Sequence, residues 1–191
     1  MKVICFYVPQ FHVIPENEQW WGKGFTEWVN VRNAKPLYEG HEQPREPLNK
    51  NYYNLLDIDT LRWQADLANK YGVYGFCFYH YWFGGKLLLE KPLELLLENK
   101  DIQINYCLCW ANESWTNAWT AGKNCQTLIA QRYGGEEDWK AHFLYLLPYF
   151  QDERYIRVNG KPLLVLYRVD LIDDLNQMID YLKKTAVEYG L

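Results

Sequence analysis

Glu27 and Glu113 are the residues from which chemistry is most readily built. Each stands in a loop-like stretch with an indole close by, Thr26-Glu27-Trp28 and Asn112-Glu113-Ser114-Trp115. A carboxyl group accepts hydroxyl hydrogen bonds or passes a proton, and a flat ring offers a face against which C–H groups stack. That combination suits a sugar. Reaction at a glycosidic bond needs two carboxyls at a defined separation, so Glu113 and Glu27 are the candidate acid and base, with hydroxyl binding as the plainer role. Candidate sugar contacts are Tyr7, His12, Trp20, Trp21 and Trp28 at or after a first strand-like run. His80, Tyr81 and Trp82 close a second run, and Trp110, Asn112 and Trp115 surround the end of a third. For His80 the sequence leaves open a hydroxyl partner, an acid–base group or a hydrogen-bonded core histidine. His142, in a helical pattern, reads as a satisfied histidine.

Placement gives these residues their weight. Of nine tryptophans, the six just named and Trp119 lie at or past the ends of strand-like runs, and only Trp63 and Trp139 fall in helical patterns. In parallel α/β proteins ligands bind at the carboxyl ends of strands, so the sequence concentrates rings on the functional face. Packing of long loops around their own aromatics is the alternative.

Charge and motifs exclude other ligands. Lys and Arg number 20 against 24 Asp and Glu, for a net charge of -4, and no basic run offers a nucleic acid backbone a partner. Neither GxGxxG nor a Walker loop is present to cradle a nucleotide. Asp57-Ile58-Asp59 has the DxD pattern with which many glycosyltransferases hold a metal and a nucleotide diphosphate, but it leads straight into a helical pattern and reads as a cap. Cys5, Cys77, Cys107 and Cys109 sit in apolar runs, as buried thiols do in a reducing compartment. No CxxC or nearby His completes a tetrahedral set around Cys107 and Cys109, so no metal and no cofactor is expected. There is no secretory leader pattern at Met1 and no apolar run near the ~20 residues of a membrane span. A cytoplasmic, soluble chain is expected.

The elements that position these groups alternate in type. Val3 to Val8 reads as a strand. Leu61, Ala65, Ala68 and Tyr71 recur at helical spacing behind Asp59 as N-cap, with Ile58 placed to staple onto Trp63 and Gly72 as the stop. Val73 to Trp82 is almost continuously apolar, as expected of a strand covered on both faces. Pro92 opens a short helix carrying Leu93, Leu96 and Leu97, and Ile104 to Trp110 forms the third strand. Glu136, Glu137 and Asp138 favour a helix start, with Trp139, Phe143, Leu146, Leu147 and Phe150 as its buried stripe. Asn159-Gly160, between Tyr155–Val158 and Lys161–Tyr167, predicts a type I′ hairpin whose second arm is the fourth strand. Asp173 or Asp174 caps a last helix over Leu175, Met178, Ile179, Leu182 and Ala186. Four strand–helix units imply parallel pairing. Complete barrels need about 250 residues, so the expected fold class is α/β, a TIM-barrel-like (β/α)8 fold represented by a half barrel, with residues 1–191 as one domain. Its first and fourth strands would each keep an open edge, to be covered by a partner half or a second copy.

Six segments together resemble the WbsX family: Tyr7-Val8-Pro9-Gln10-Phe11-His12, Gly24-Phe25-Thr26-Glu27-Trp28, Gly40-His41-Glu42-Gln43-Pro44, Tyr79-His80-Tyr81-Trp82-Phe83, Cys109-Trp110-Ala111-Asn112-Glu113 and Gly160-Lys161-Pro162. That family is described as glycosyltransferase or lipopolysaccharide-biosynthesis proteins, with a domain similar to glycoside hydrolase family 99. The resemblance implies a TIM-like barrel, an oligosaccharide or polysaccharide substrate, no catalytic metal, and a setting in capsule or O-antigen assembly. It also implies hydrolase relatives that are retaining endo-acting α-mannosidases using the substrate's own 2-hydroxyl as nucleophile. The family's paired glutamates lie in an Asn-Glu-Trp-x-Glu-Gly-like segment of a further half barrel. The only Glu-x-x-Glu here is Glu39 and Glu42, in the Gly-His loop. The expectation is therefore the N-terminal half of a carbohydrate-active enzyme, incomplete for catalysis by itself. A non-catalytic sugar-binding module is the alternative, and a nucleotide-sugar transferase a third reading.

Overall fold

The computed structural model describes residues 1–118 and 125–191, and Trp119 lies outside them. In chain order come β1 (Ile4–Tyr7), α1 (Pro15–Trp21), α2 (Glu27–Asn33), α3 (Ile58–Lys70), β2 (Gly75–Phe83), β3 (Lys86–Leu88), α4 (Lys91–Glu98) and β4 (Asn105–Trp110). There follow β5 (Trp115–Thr116), β6 (Thr127–Ile129), α5 (Glu136–Phe150), β7 (Arg157–Val158), β8 (Lys161–Pro162), β9 (Leu164–Leu166) and α6 (Leu175–Glu188). The main sheet has the order β1-β2-β4-β9, parallel throughout, with β3 folded back antiparallel on β2. Each parallel strand lies beside its predecessor, with none of the order reversal that marks a doubly wound sheet, and this is the sequence of strands in a barrel wall. Among the described residues no helix is long and apolar enough to cross a membrane.

Register sorts the side chains onto two faces, because residues paired across parallel strands point the same way and successive residues point oppositely. Tyr7, Phe78, Leu108 and Leu164 are in register on one face, and His80, Trp110 and Leu166 form the next row of it. This face lies under the helices. It packs on Leu61, Ala65 and Ala68 of α3, Leu93 and Leu96 of α4, and Phe143, Leu146 and Tyr149 of α5, all buried. The opposite, concave face carries Phe6, Cys77 and Cys107 in one row, Tyr79, Cys109 and Val165 in the next, and Tyr81 and Phe83 beyond. The thiols are buried, but Phe6 is 63% and Tyr167 49% exposed. The concave face is thus open to solvent along its two outer strands. Beside β1 the helix side is also uncovered, as an apolar groove of ≈ 330 Å³ between Tyr7, Phe76 and the Leu67, Ala68 and Tyr71 end of α3.

Local chemistry explains the boundaries. Asn159 and Gly160 both have positive φ, 51° and 79°, as a type I′ turn requires, and the hairpin pairs Val158 with Lys161. Gly75 admits the β4 backbone, since a Cβ there would lie 2.4 Å from the Asn105 carbonyl oxygen. α3 starts earlier than its spacing predicts: Asp57, rather than Asp59, is the N-cap, and its carboxylate accepts the Asp59 N–H at 3.0 Å. Tyr71, expected in the buried stripe, is 72% exposed, because α3 ends at Lys70 and Tyr71 is its C-cap. The first cap of α6 is at Asp174 by position, without a side-chain bond.

Candidate functional site

A continuous row of rings runs over the concave face and up to its carboxyl end. Phe6 meets Tyr79 at 5.5 Å between centroids, and Tyr79 meets Tyr167 at 5.9 Å and Tyr81 at 6.5 Å. Tyr81 meets Trp115 at 5.1 Å, and Trp115 meets Trp20 at 6.0 Å. Three elements supply the far end: β2 brings Tyr81 and Phe83, β5 brings Trp115, and α1 brings Trp20, over a small apolar cluster of Ile14, Leu88 and Leu89. Gln10, in the loop after β1, reaches the Tyr81 hydroxyl at 3.4 Å.

The two carboxylates border this row. Glu27 opens α2 behind Thr26, and burial pushes its carboxyl above the usual range while a hydrogen bond with Asn30 works the other way. It lies near enough to Tyr81 that its charge adds to burial in opposing ionisation of that phenol. Glu113 follows β4 and forms a 2.6 Å ion pair with Arg168, which follows β9. Its charge bears on Tyr79, below burial and the Cys109, Tyr167 and Cys77 neighbours in effect. Glu27 is therefore within electrostatic reach of Tyr81, and Glu113 of Tyr79. His12, in the loop beyond β1, is 1% exposed, and neither ring nitrogen completes a hydrogen bond within the protein. Burial lowers it to about 4, against the pull of the Pro9 carbonyl. A buried imidazole without a partner is a group that a ligand or water can satisfy.

Other predicted contacts are held elsewhere. Tyr7 points under α3, its hydroxyl donating to Gln64 at 2.5 Å, and burial pushes that hydroxyl up. His80 and His142 lie between β2 and α5, joined Nε2 to Nε2 at 2.8 Å and wholly buried, so His142 is a core histidine and His80 its partner. Trp82 stacks on His142 at 4.8 Å and 7°, and its Nε1 donates to Asp138. Trp110 meets the same imidazole edge-on and donates to the Trp82 carbonyl. Trp28 packs with Phe11, Tyr52 and Tyr53, the alternative of a loop forming its own small core, and donates to the Tyr53 carbonyl. Trp21 rests against Phe25. Asn112 is 0% exposed, with both amide atoms engaged by the Arg168 main chain. Tyr7, His80, Trp82, Trp110, Trp28 and Asn112 are thus each held by partners within the protein.

Phe6, Tyr79, Tyr167 and Arg168 were not expected at the site. The signal for Tyr79 is its spacing of two from Tyr81, which gives both one face of β2. Asp57-Ile58-Asp59 is consumed as a helix start, with Asp59 bound to Arg62 at 2.9 Å. Among the described residues no group of three His, Cys, Asp or Glu side chains is arranged to hold a metal ion.

A consecutive run of parallel βα units, with carboxylates and rings at its carboxyl end, defines a chain of the α/β-barrel class. A family model described as glycosyltransferase WbsX matches residues 3–191, and the chain belongs to that family. It is 45% identical over 172 residues to the uncharacterized protein WxcX of Xanthomonas campestris pv. campestris, a match covering 90% of this chain and 24% of that protein. A second strain of the same organism has a WxcX protein matched to the same extent. The chain therefore spans about a quarter of the length of these curated relatives. Among solved structures it resembles the GH99 endo-alpha-mannosidase of Bacteroides thetaiotaomicron in complex with BIS-TRIS-Propane, with TM-score 0.52 and 17% identity, over 89% of this chain and 42% of the other. Another structure of that enzyme gives TM-score 0.51 and 17% identity, over 89% and 46%. The parallel sheet and its helices are the fold that the two proteins share.

Proposed function

We propose that residues 1–191 form the N-terminal, glycan-contacting half of a GH99-like barrel that acts on a surface polysaccharide such as capsule or O-antigen. The reaction is glycosyl transfer or retaining hydrolysis of an α-linked, mannoside-like sugar. The observation that carries this reading is the row of half-buried rings Tyr79, Trp115 and Trp20, joined through the buried Tyr81, with Glu27 in electrostatic reach of Tyr81 and Glu113 of Tyr79. Apolar sugar faces stack on such rings, and carboxylates beside them accept the hydroxyls. Trp20 and Trp115 extend the surface for a further sugar unit, and His12 offers an unused nitrogen. Glu27, held toward its protonated form by burial, is suited to donate, and Glu113, paired with Arg168, to accept. The chain's coverage of under half of the GH99 structures supports a further set of βα units that pairs with β1 and β9, fills the groove beside α3 and completes the catalytic carboxylates. A cytoplasmic location and the absence of nucleic acid partners accompany this reading.

Calorimetry of residues 1–191 against a panel of oligosaccharides, α-linked manno-oligosaccharides included, tests it. Binding that is lost in Tyr79→Ala is expected. No binding to any member of the panel, with activity also absent from the protein extended to a full barrel, would refute it. The alternative is a non-catalytic sugar-binding module, favoured by the absence from this sequence of an Asn-Glu-Trp-x-Glu-Gly-like segment with its paired glutamates. It predicts binding by this chain and an extended protein that neither cleaves nor transfers.

A further inference from the structure

We infer that Asn112 is a positioning residue: its side-chain amide replaces a rung of the sheet beyond the β4–β9 ladder and thereby fixes the Arg168–Glu113 pair at the site. The inference rests on the reading of Glu113 as a glycan-facing carboxylate and adds the device that aims it.

The ladder between β4 and β9 ends where the Tyr167 N–H donates to the Trp110 carbonyl at 3.1 Å. Two residues further along each strand, backbone pairing has stopped. There the Asn112 Nδ2 donates to the Arg168 carbonyl at 2.6 Å, and the Arg168 N–H donates to Asn112 Oδ1 at 2.8 Å. A primary amide is the side chain that matches a peptide in both directions at once, with one donor and one acceptor side by side. Around it the main chain is pinned as well: the Tyr133 hydroxyl donates to the Asn112 carbonyl at 2.8 Å, and the Ala111 N–H donates to the His80 carbonyl. Arg168, held at its backbone, sends Nη1 to Glu113 Oε1 at 2.6 Å and places Nε and Nη2 on the two oxygens of Asp170 at 2.8 and 2.6 Å. The contacts close into a ring, from the Asn112 backbone through Glu113 and the Arg168 side chain to the Arg168 backbone and back to the Asn112 amide. Buried, and with its amide oxygen and nitrogen both turned to the Arg168 main chain, Asn112 acts on the backbone. What it controls is the direction of Glu113, one residue along. The groups that face Glu113 are Arg168 and Asp170 from the loop after β9, Tyr133 from the segment before α5, and Tyr79 from β2.

Asn112→Asp separates positioning from general packing. An ionised aspartate accepts the Arg168 N–H but repels its carbonyl; a protonated one donates to that carbonyl and restores both bonds. The variant is therefore expected to bind α-linked manno-oligosaccharide about tenfold more weakly than wild type near neutral pH, and to recover toward the wild-type value as the pH is lowered to about 5. The Arg168 guanidinium N–H signals, followed by NMR without any sugar, are expected to differ from wild type in the variant near neutral pH and to approach it as the pH is lowered to about 5. Arg168→Ala is the companion variant: it removes the Glu113 pair but keeps the backbone bracket, so slow amide exchange at position 168 should survive. A variant Asn112→Asp that matches wild type at neutral pH, or that is equally impaired at both pH values, overturns the inference, as does fast exchange at position 168 in Arg168→Ala. If wild type binds no sugar yet the Arg168 guanidinium signals follow the scheme, the positioning role stands and the glycan reading falls.

Discussion

The wholly buried His80–His142 pair makes acid stability a sharp test of how the sheet meets α5. Burial lowers His80 from its ordinary 6.5 to about 3 and drives His142 well below the same value. Folded-state values below the unfolded ones mean that the stabilisation is complete above pH 6.5 and is lost as the pH falls beneath it. At about pH 5 each ring is neutral in the folded chain and charged in the unfolded one, a difference of about 1.5 pH units or about 2 kcal/mol per ring. Two rings give about 4 kcal/mol between about pH 7.5 and pH 5. In His142→Phe a flat ring still stacks on Trp82, but the His80 Nε2 loses its partner at 2.8 Å. The variant should lose about 1–3 kcal/mol near pH 7.5 from the unpaired nitrogen, and its further loss on acidification should be about 2 kcal/mol smaller than that of wild type, since His12, also lowered by burial, contributes alike in both. Urea unfolding followed by tryptophan fluorescence at the two pH values measures both quantities. Carboxylates contribute to acid loss in both proteins alike and cancel in the comparison. An equal pH-dependent loss in the two proteins would show that the rings are charged or solvated in the fold, and the reasoning would fail.

Three further outcomes are expected. Gly75→Ala drives a methyl group to 2.4 Å from the Asn105 carbonyl oxygen, and should cost about 1–3 kcal/mol in a urea titration, because backbone rather than a mobile side chain stands in the way. Trp115→Ala should weaken oligosaccharide binding about tenfold with the fold intact, whereas Trp82→Ala should lower the unfolding midpoint, at a cost of about 3–5 kcal/mol, and leave affinity per folded molecule unchanged. For Glu27, whose carboxyl is raised by burial, wild-type binding should change at a pH above the usual glutamate range of about 4.3, and Glu27→Gln should abolish that inflection. A titration of affinity against pH that is the same in both proteins would remove Glu27 from the site.

The alternation of strand and helix, the parallel pairing it entails and the Asn159-Gly160 turn were all legible in the sequence, because each depends on periodicity or on a backbone conformation that few residues adopt. The gathering of Glu27, Glu113, Trp20 and Trp115 at the carboxyl ends was legible too, since in a parallel sheet the loops after the strands share one end. Which side chains of Phe78-Tyr79-His80-Tyr81-Trp82 look into the open face was not. A parallel strand is apolar on both sides, so its composition carries no alternation to mark the inside, and a shift of one residue exchanges every contact. Only the packing of α5 on β2 decides that His80 and Trp82 turn to His142 while Tyr79 and Tyr81 lie on the opposite face, Tyr79 half-buried and Tyr81 covered beside Trp115 and Gln10. The same holds for Asn112, whose residue type admits a sugar hydroxyl or a peptide equally. Its partner comes from Arg168, 56 residues away in the chain, and that neighbour exists only once β9 lies beside β4.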